Sequence, residues 1–117
     1  MSFKFKKLRV WQISLEYGEK IYYTSLSFPE HEKNNLSSQI RRAVDSIALN
    51  ISEGYVGQSN AEFRRFLGYA IRSISEVVTC LYKAKFRKHI TDEVFDSHYD
   101  TAFQLMNQIV ALRNSLK

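Results

Sequence analysis

Apolar residues recur three and four positions apart over four long stretches of this chain, the period of one face of an α-helix. The clearest stretch runs from Leu36 to Gly54, where Leu36, Ile40, Val44, Ile47 and Ile51 share a face. Ala43 and Ala48 flank that stripe and are small enough for a neighbouring helix to approach closely. Gly54 stands where the pattern stops, the place for a left-handed C′ glycine. Gln39, Arg42, Ser46, Asn50 and Glu53 lie along one edge of the apolar face. This edge reads either as the solvated side of an amphipathic helix or as a structural polar edge. In the second case Asn50 and Glu53 bond to another helix, because amide and charged groups at a core boundary are costly unless paired.

The stretch before it, from about Arg9 to Ser27, carries two apolar faces. Val10, Ile13, Tyr17, Ile21, Thr24 and Phe28 form one stripe, and Trp11, Leu15, Gly18, Tyr22 and Leu26 form another on nearly the opposite side. A helix of a small bundle needs only one apolar face, so the second predicts contact with another subunit through Trp11, Leu15, Tyr22 and Leu26. Pro29, followed by Glu30 and Glu32, marks the approach to the next helix. Ser59-x-x-Glu62 is a capping box opening a third helix that runs to about Arg87, with Phe63, Leu67, Ala70, Ile74, Val77 and Leu81 facing the core. Thr91 is the N-cap expected for a fourth helix, whose first turn carries Asp92 and Glu93. Its core face reads as Phe95, Tyr99, Ala102, Met106, Ile109 and Leu116. Short connections favour antiparallel neighbours, so the pattern predicts an all-α fold, an antiparallel up-down-up-down four-helix bundle. One domain spans residues 1–117, with an extended basic arm over about 1–8.

Composition agrees with this picture. The 117 residues are 44% hydrophobic and 14% aromatic, enough for a core, and four Gly with one Pro leave few breaks for short strands. The lone Cys80 fits a reducing compartment and an apolar helical setting better than a reactive one. No apolar run reaches membrane-spanning length, and MSFKFKKLRV lacks the apolar core of a secretory leader. A cytoplasmic protein is expected.

Charge changes the picture more. The net +5 is concentrated in two places: residues 1–9 hold Lys4, Lys6, Lys7 and Arg9 without an acid, and residues 41–88 hold nine basic groups against four acids. The intervening and final segments are each slightly acidic. On the third helix, Arg65, Tyr69, Arg72, Glu76, Lys83 and Arg87 fall along one flank, a basic stripe containing an aromatic. Such a patch is the footprint of an anionic partner, and excess Lys and Arg also serve solubility. The phosphate-contacting candidates are Arg41, Arg42, Arg64, Arg65, Arg72, Lys83, Arg87 and Lys88, with the N-terminal arm as a second set.

Motifs for catalysis are absent from local spacing. Each of His31, His89 and His98 has Phe three residues before it, so the Glu-x-x-His pairs of two-metal bundles do not occur. His31-Glu32 does not extend to HExxH, and there is no Cys pair, phosphate loop or nucleophile elbow. The three His read as surface or helix-end residues. No cofactor, metal or small-molecule substrate is expected, and an enzyme would need a site assembled between subunits.

Residues Lys7 to Leu81 resemble a bacterial family of small four-helix bundle proteins encoded in intervening sequences of 23S ribosomal RNA genes. The residues that carry the likeness are Val10-Trp11-Gln12, Phe28-Pro29-x-x-Glu32, and Gln39-Ile40-x-Arg42-Ala43-x-x-Ser46-Ile47-x-x-Asn50-Ile51-x-Glu53-Gly54. Ser59, Phe63, Phe66-Leu67, Ala70, Ser73 and Glu76 continue it. Ser52 stands where the family pattern has Ala, and Arg72 where it has Gly; the second departure makes the third helix more basic. The resemblance implies a four-helix bundle that assembles into a ring-shaped homo-oligomer, a pentamer. It extends in fold to the accessory protein of diversity-generating retroelements, a pentameric bundle that works with nucleic acid. Two functions stay open: a non-enzymatic oligomer binding RNA or DNA phosphates, and a protein-interaction scaffold whose basic stripe meets an acidic partner.

Overall fold

A computed structural model describes residues 3–117 of the chain. Four α-helices account for most of it: α1 (Arg9–Leu26), α2 (Leu36–Tyr55), α3 (Asn60–Phe86) and α4 (Asp92–Ser115). Short 3₁₀ turns, Lys4–Lys7 and Glu30–Glu32, precede α1 and α2. Both expected caps form: Ser59 Oγ accepts from the Glu62 N–H at 3.1 Å, and Thr91 Oγ1 accepts from the Val94 N–H at 3.2 Å.

The bundle is closed cyclically, with α1 packed on α2 and α4, α2 on α3, and α3 on α4. Contacts between consecutive helices run in opposite directions along the chain. Gly54 meets Phe66 while Ser46 meets Ser73, and Gly68 lies by Arg113 while Lys85 covers Phe95. Such pairings make these neighbours antiparallel. All five apolar stripe residues of α2 are at most 1% exposed, so the helix with the cleanest period is the one most fully buried. Each such side chain contributes about 1.5–3 kcal/mol on leaving water.

Three expectations need correction. Gly54 does not terminate α2, which continues to Tyr55, and no glycine here has positive φ. Gly54 is instead a packing glycine: a Cβ would sit 2.6 Å from Phe66 Cβ and 3.0 Å from Phe63 Cδ1. The left-handed C′ residue belongs to α3 and is Lys88, at φ 62°. In α4, His98 and Leu105 take the core places expected for Tyr99 and Met106, giving a 3-4-3-4 stripe through Phe95, His98, Ala102, Leu105 and Ile109. A polar residue in that stripe hid its phase, and Tyr99 moves to an edge cluster with Tyr82 and Phe95. Finally, the basic arm is not extended over its described part. Lys4–Lys7 turns back on α1, with Phe5 against Trp11 at 5.1 Å between ring centroids and Gln12 Nε2 donating to the Lys6 carbonyl at 2.7 Å.

Candidate nucleic-acid interface and a buried carboxylate cluster

The basic residues of α2 and α3 separate into those with internal partners and those without. Arg41 is half-buried: its Nε donates to Ser25 Oγ at 2.7 Å, and its guanidinium lies 5.3 Å from the Tyr22 ring centre, tying α2 to α1. Arg64 donates to the Leu116 carbonyl at 3.0 Å and holds the end of α4. Arg87 donates to Glu32 Oε2 at 2.9 Å. Those three are engaged in holding the bundle.

Arg65 and Arg72 are different. Both are exposed on α3, one beside the Phe66 ring at 5.4 Å and the other beside the half-exposed Tyr69 ring at 6.0 Å. They border a cleft of about 310 Å³ with Gly68, Tyr69, Ile71 and Arg113, the last contributed by α4. Gly68 adds no side chain to the cleft, although a Cβ there would make only ordinary van der Waals contact, 3.9 Å from the Arg113 guanidinium. Among the described residues no carboxylate lies within salt-bridge distance of Arg65, Arg72 or Arg113, or of Arg42 and Lys83. Arg113 was absent from the sequence candidates because its only link to the stripe is spatial. The stripe itself divides: Lys83, Arg87 and Lys88 lie at the far end of α3, roughly 20 Å from Arg72 at 1.5 Å per residue.

A single buried acid meets that far end. Glu32 is 2% exposed and fully bonded: Oε2 lies 2.8 Å from His89 Nε2 and 2.9 Å from an Arg87 nitrogen, while Asn35 Nδ2 donates to Oε1 at 3.0 Å. The His89 bond first, then Arg87 and Asn35, outweigh burial and pull the Glu32 carboxyl down to about 2. His89 arrives there because α3 ends in a Schellman motif, with the His89 N–H on the Ala84 carbonyl at 2.8 Å and the Lys88 N–H on the Lys85 carbonyl at 3.0 Å. His31 stands beside it, its ring centre 5.9 Å from that of His89. One ligand atom from each of His31, Glu32 and His89 falls within 4.8 Å of the others. Local motif spacing could not find this cluster, because its halves are separated by 57 positions.

His98 also departs from the surface reading. It is buried between α1 and α4, its Nε2 2.8 Å from Thr24 Oγ1 and its carbonyl accepting from the Tyr17 hydroxyl at 2.9 Å. Desolvation, then the nearby Lys20 charge, lowers its pKa.

Along the polar edge of α2, Ser46 makes the interhelical bond, donating to Ser73 Oγ at 2.6 Å. Asn50, expected to reach another helix, donates back to the Ser46 carbonyl at 2.8 Å, and Glu53 is exposed. Gln39 is half-buried at the same edge. An Asn in a helix satisfies itself on the preceding turn when no partner faces it. On the second face of α1, Leu15, Tyr22 and Leu26 are 42–54% exposed, whereas Trp11 is half-covered by Phe5. Across the bundle, an apolar groove between α3 and α4 is lined by Ile74, Val78, Tyr99, Ala102, Phe103 and Met106.

Residues 6–111 match the family described as 23S rRNA-intervening sequence protein. The chain belongs to that family. A solved structure from Bacteroides thetaiotaomicron, described as a protein with unknown function from the S23 ribosomal protein family, has the same fold. It is 26% identical, with a TM-score of 0.81 over 91% of this chain and 99% of that one. No curated protein matches the chain. Among the described residues, no helix of this intervening-sequence protein is long and apolar enough to cross a membrane.

Proposed function

We propose that this intervening-sequence protein is a non-enzymatic homo-oligomer that binds RNA or DNA through phosphates. The observation that carries the reading is the cleft of Arg65, Arg72 and Arg113, three guanidiniums from two helices without a carboxylate partner beside an exposed tyrosine. Guanidiniums pair bidentately with phosphate oxygens, and an exposed aromatic face accepts a stacked base. Unpaired cations gathered around a cavity repel one another until an anion enters, so the site favours a phosphodiester over water. Affinity of this kind is insensitive to sequence and steeply salt-dependent.

The homo-oligomeric part rests on two unlike apolar surfaces. Leu15, Tyr22 and Leu26 lie on the α1 side, and the Val78–Phe103 groove lies between α3 and α4 on the other. Dissimilar faces on opposite sides of one subunit suit head-to-tail contacts, which close into a ring when the rotation allows. A ring, a pentamer in the family pattern, would repeat the arginine cleft and make each further phosphate contact effectively intramolecular. Purified protein freed of nucleic acid should retard generic RNA or DNA at low ionic strength. Failure to do so, with capture of an acidic protein instead, would replace this reading with that of an interaction scaffold. Leu15→Glu with Tyr22→Glu should convert an oligomer seen by light scattering into a folded monomer; a wild type that is monomeric at every concentration contradicts the assembly.

A further inference from the structure

The cluster around Glu32 has the makings of a metal site. We infer that His31, Glu32 and His89 form a three-ligand zinc site, joining the 3₁₀ turn ahead of α2 to the turn between α3 and α4. The donor set is two imidazoles and one carboxylate, which suits Zn²⁺ and not Ca²⁺ or Mg²⁺, whose sites are built from oxygen. The three donor atoms already lie within 4.8 Å of one another.

What zinc replaces is a proton. His89 Nε2 and Glu32 Oε2 are 2.8 Å apart with a hydrogen between them. Ligands at about 2.0–2.2 Å from a tetrahedral ion stand roughly 3.3 Å from each other, so the pair opens by about half an ångström. The imidazole gives up its Nε2 proton to solvent, and the nitrogen lone pair takes the metal. His31 supplies the third donor, and its ring is exposed and makes no side-chain hydrogen bond among the described residues, so it is free to turn inward. The carboxylate is held for this task from the side, by Asn35 on Oε1 and Arg87 on Oε2. Such outer partners orient ligating carboxylates. The Arg87 side chain is 42% exposed, so it can swing its charge toward solvent as the ion enters. The Phe28 ring, 5.8 Å from that of His89, closes the apolar side. Three protein ligands leave a fourth position on the solvent side for water.

The test is titration of untagged, chelator-stripped full-length protein with ZnCl₂, followed by calorimetry and by the melting temperature. Cobalt(II) serves as a visible-band reporter of tetrahedral geometry. One zinc per chain should bind and raise the melting temperature, as any ligand of the folded state does. His31→Ala should weaken binding at least tenfold and change the melting temperature of the metal-free protein little, because the side chain is exposed and its one ring contact is the edge of His89. His89→Ala should abolish binding and the cobalt bands. The inference is overturned if the wild type takes up no zinc, or if His31→Ala binds it as tightly as the wild type.

Discussion

The two ends of α3 treat positive charge in opposite ways. At its C-terminal end Arg87 and His89 converge on a buried carboxylate whose two oxygens are both bonded. Toward its N-terminal end Arg65 and Arg72, with Arg113 from α4, border a cleft with no carboxylate at salt-bridge distance among the described residues. A cation with a buried partner serves the fold, since removing one side leaves the other desolvated and alone. A cation without one costs the fold little and stays available to a ligand. Sequence spacing placed Arg65, Arg72, Lys83 and Arg87 on one stripe; the bond to Glu32 sets Arg87 apart as part of a lock and leaves Arg65 and Arg72 to the proposed binding surface.

That division is broken most directly at Glu32. Glu32→Ala strands His89, Arg87 and Asn35 at once and should lower the unfolding free energy by about 2–3 kcal/mol in urea titrations. A change below about 0.5 kcal/mol would show that the cluster is not structural. Acidification is a gentler perturbation. Because His98 has a folded pKa below its ordinary 6.5, the unfolded chain takes up the proton first. The stability that neutral His98 provides is therefore complete above about 6.5 and is lost as pH falls toward its folded pKa. Melting temperatures should begin to fall just below pH 6.5, and His98→Gln should remove that portion of the slope. The smallest effect is expected at Lys88, which delivers His89 from a left-handed position that glycine adopts without strain. Lys88→Gly should raise stability by about 0.5–1 kcal/mol. It should leave nucleic-acid binding unchanged if Lys88 belongs to the lock, and weaken binding if this end of the stripe also meets phosphate.

Much of the fold was legible because it rests on period. Leu36, Ile40, Val44, Ile47 and Ile51 announce a core face, and Ser59 and Thr91 announce helix starts through chemistry that acts over three residues. Gly54 was legible as an exception but not in its purpose, because chain-end conformation and close packing against Phe66 both call for the missing Cβ. His98 was misplaced since a core histidine looks polar until Thr24 is brought opposite its ring. The functional surfaces were half legible. Charge density marked α3, whereas Arg113 and the pairing of Glu32 with His89 depend on contacts between helices far apart in the chain.

If the unpaired arginines bind and the paired ones hold the fold, the two roles separate in anisotropy of a fluorescent single-stranded RNA between about 50 and 200 mM salt, paired with urea unfolding. The comparison is between wild type, Arg65→Gln/Arg72→Gln/Arg113→Gln, and Arg87→Gln. The triple variant should lose most affinity at low salt and flatten the salt dependence by about 2 per subunit, with its unfolding free energy within about 0.5 kcal/mol of wild type. Arg87→Gln should do the reverse, keeping the affinity and losing stability. A triple variant that binds like the wild type, or an Arg87→Gln variant that loses RNA while keeping its stability, would contradict the claim.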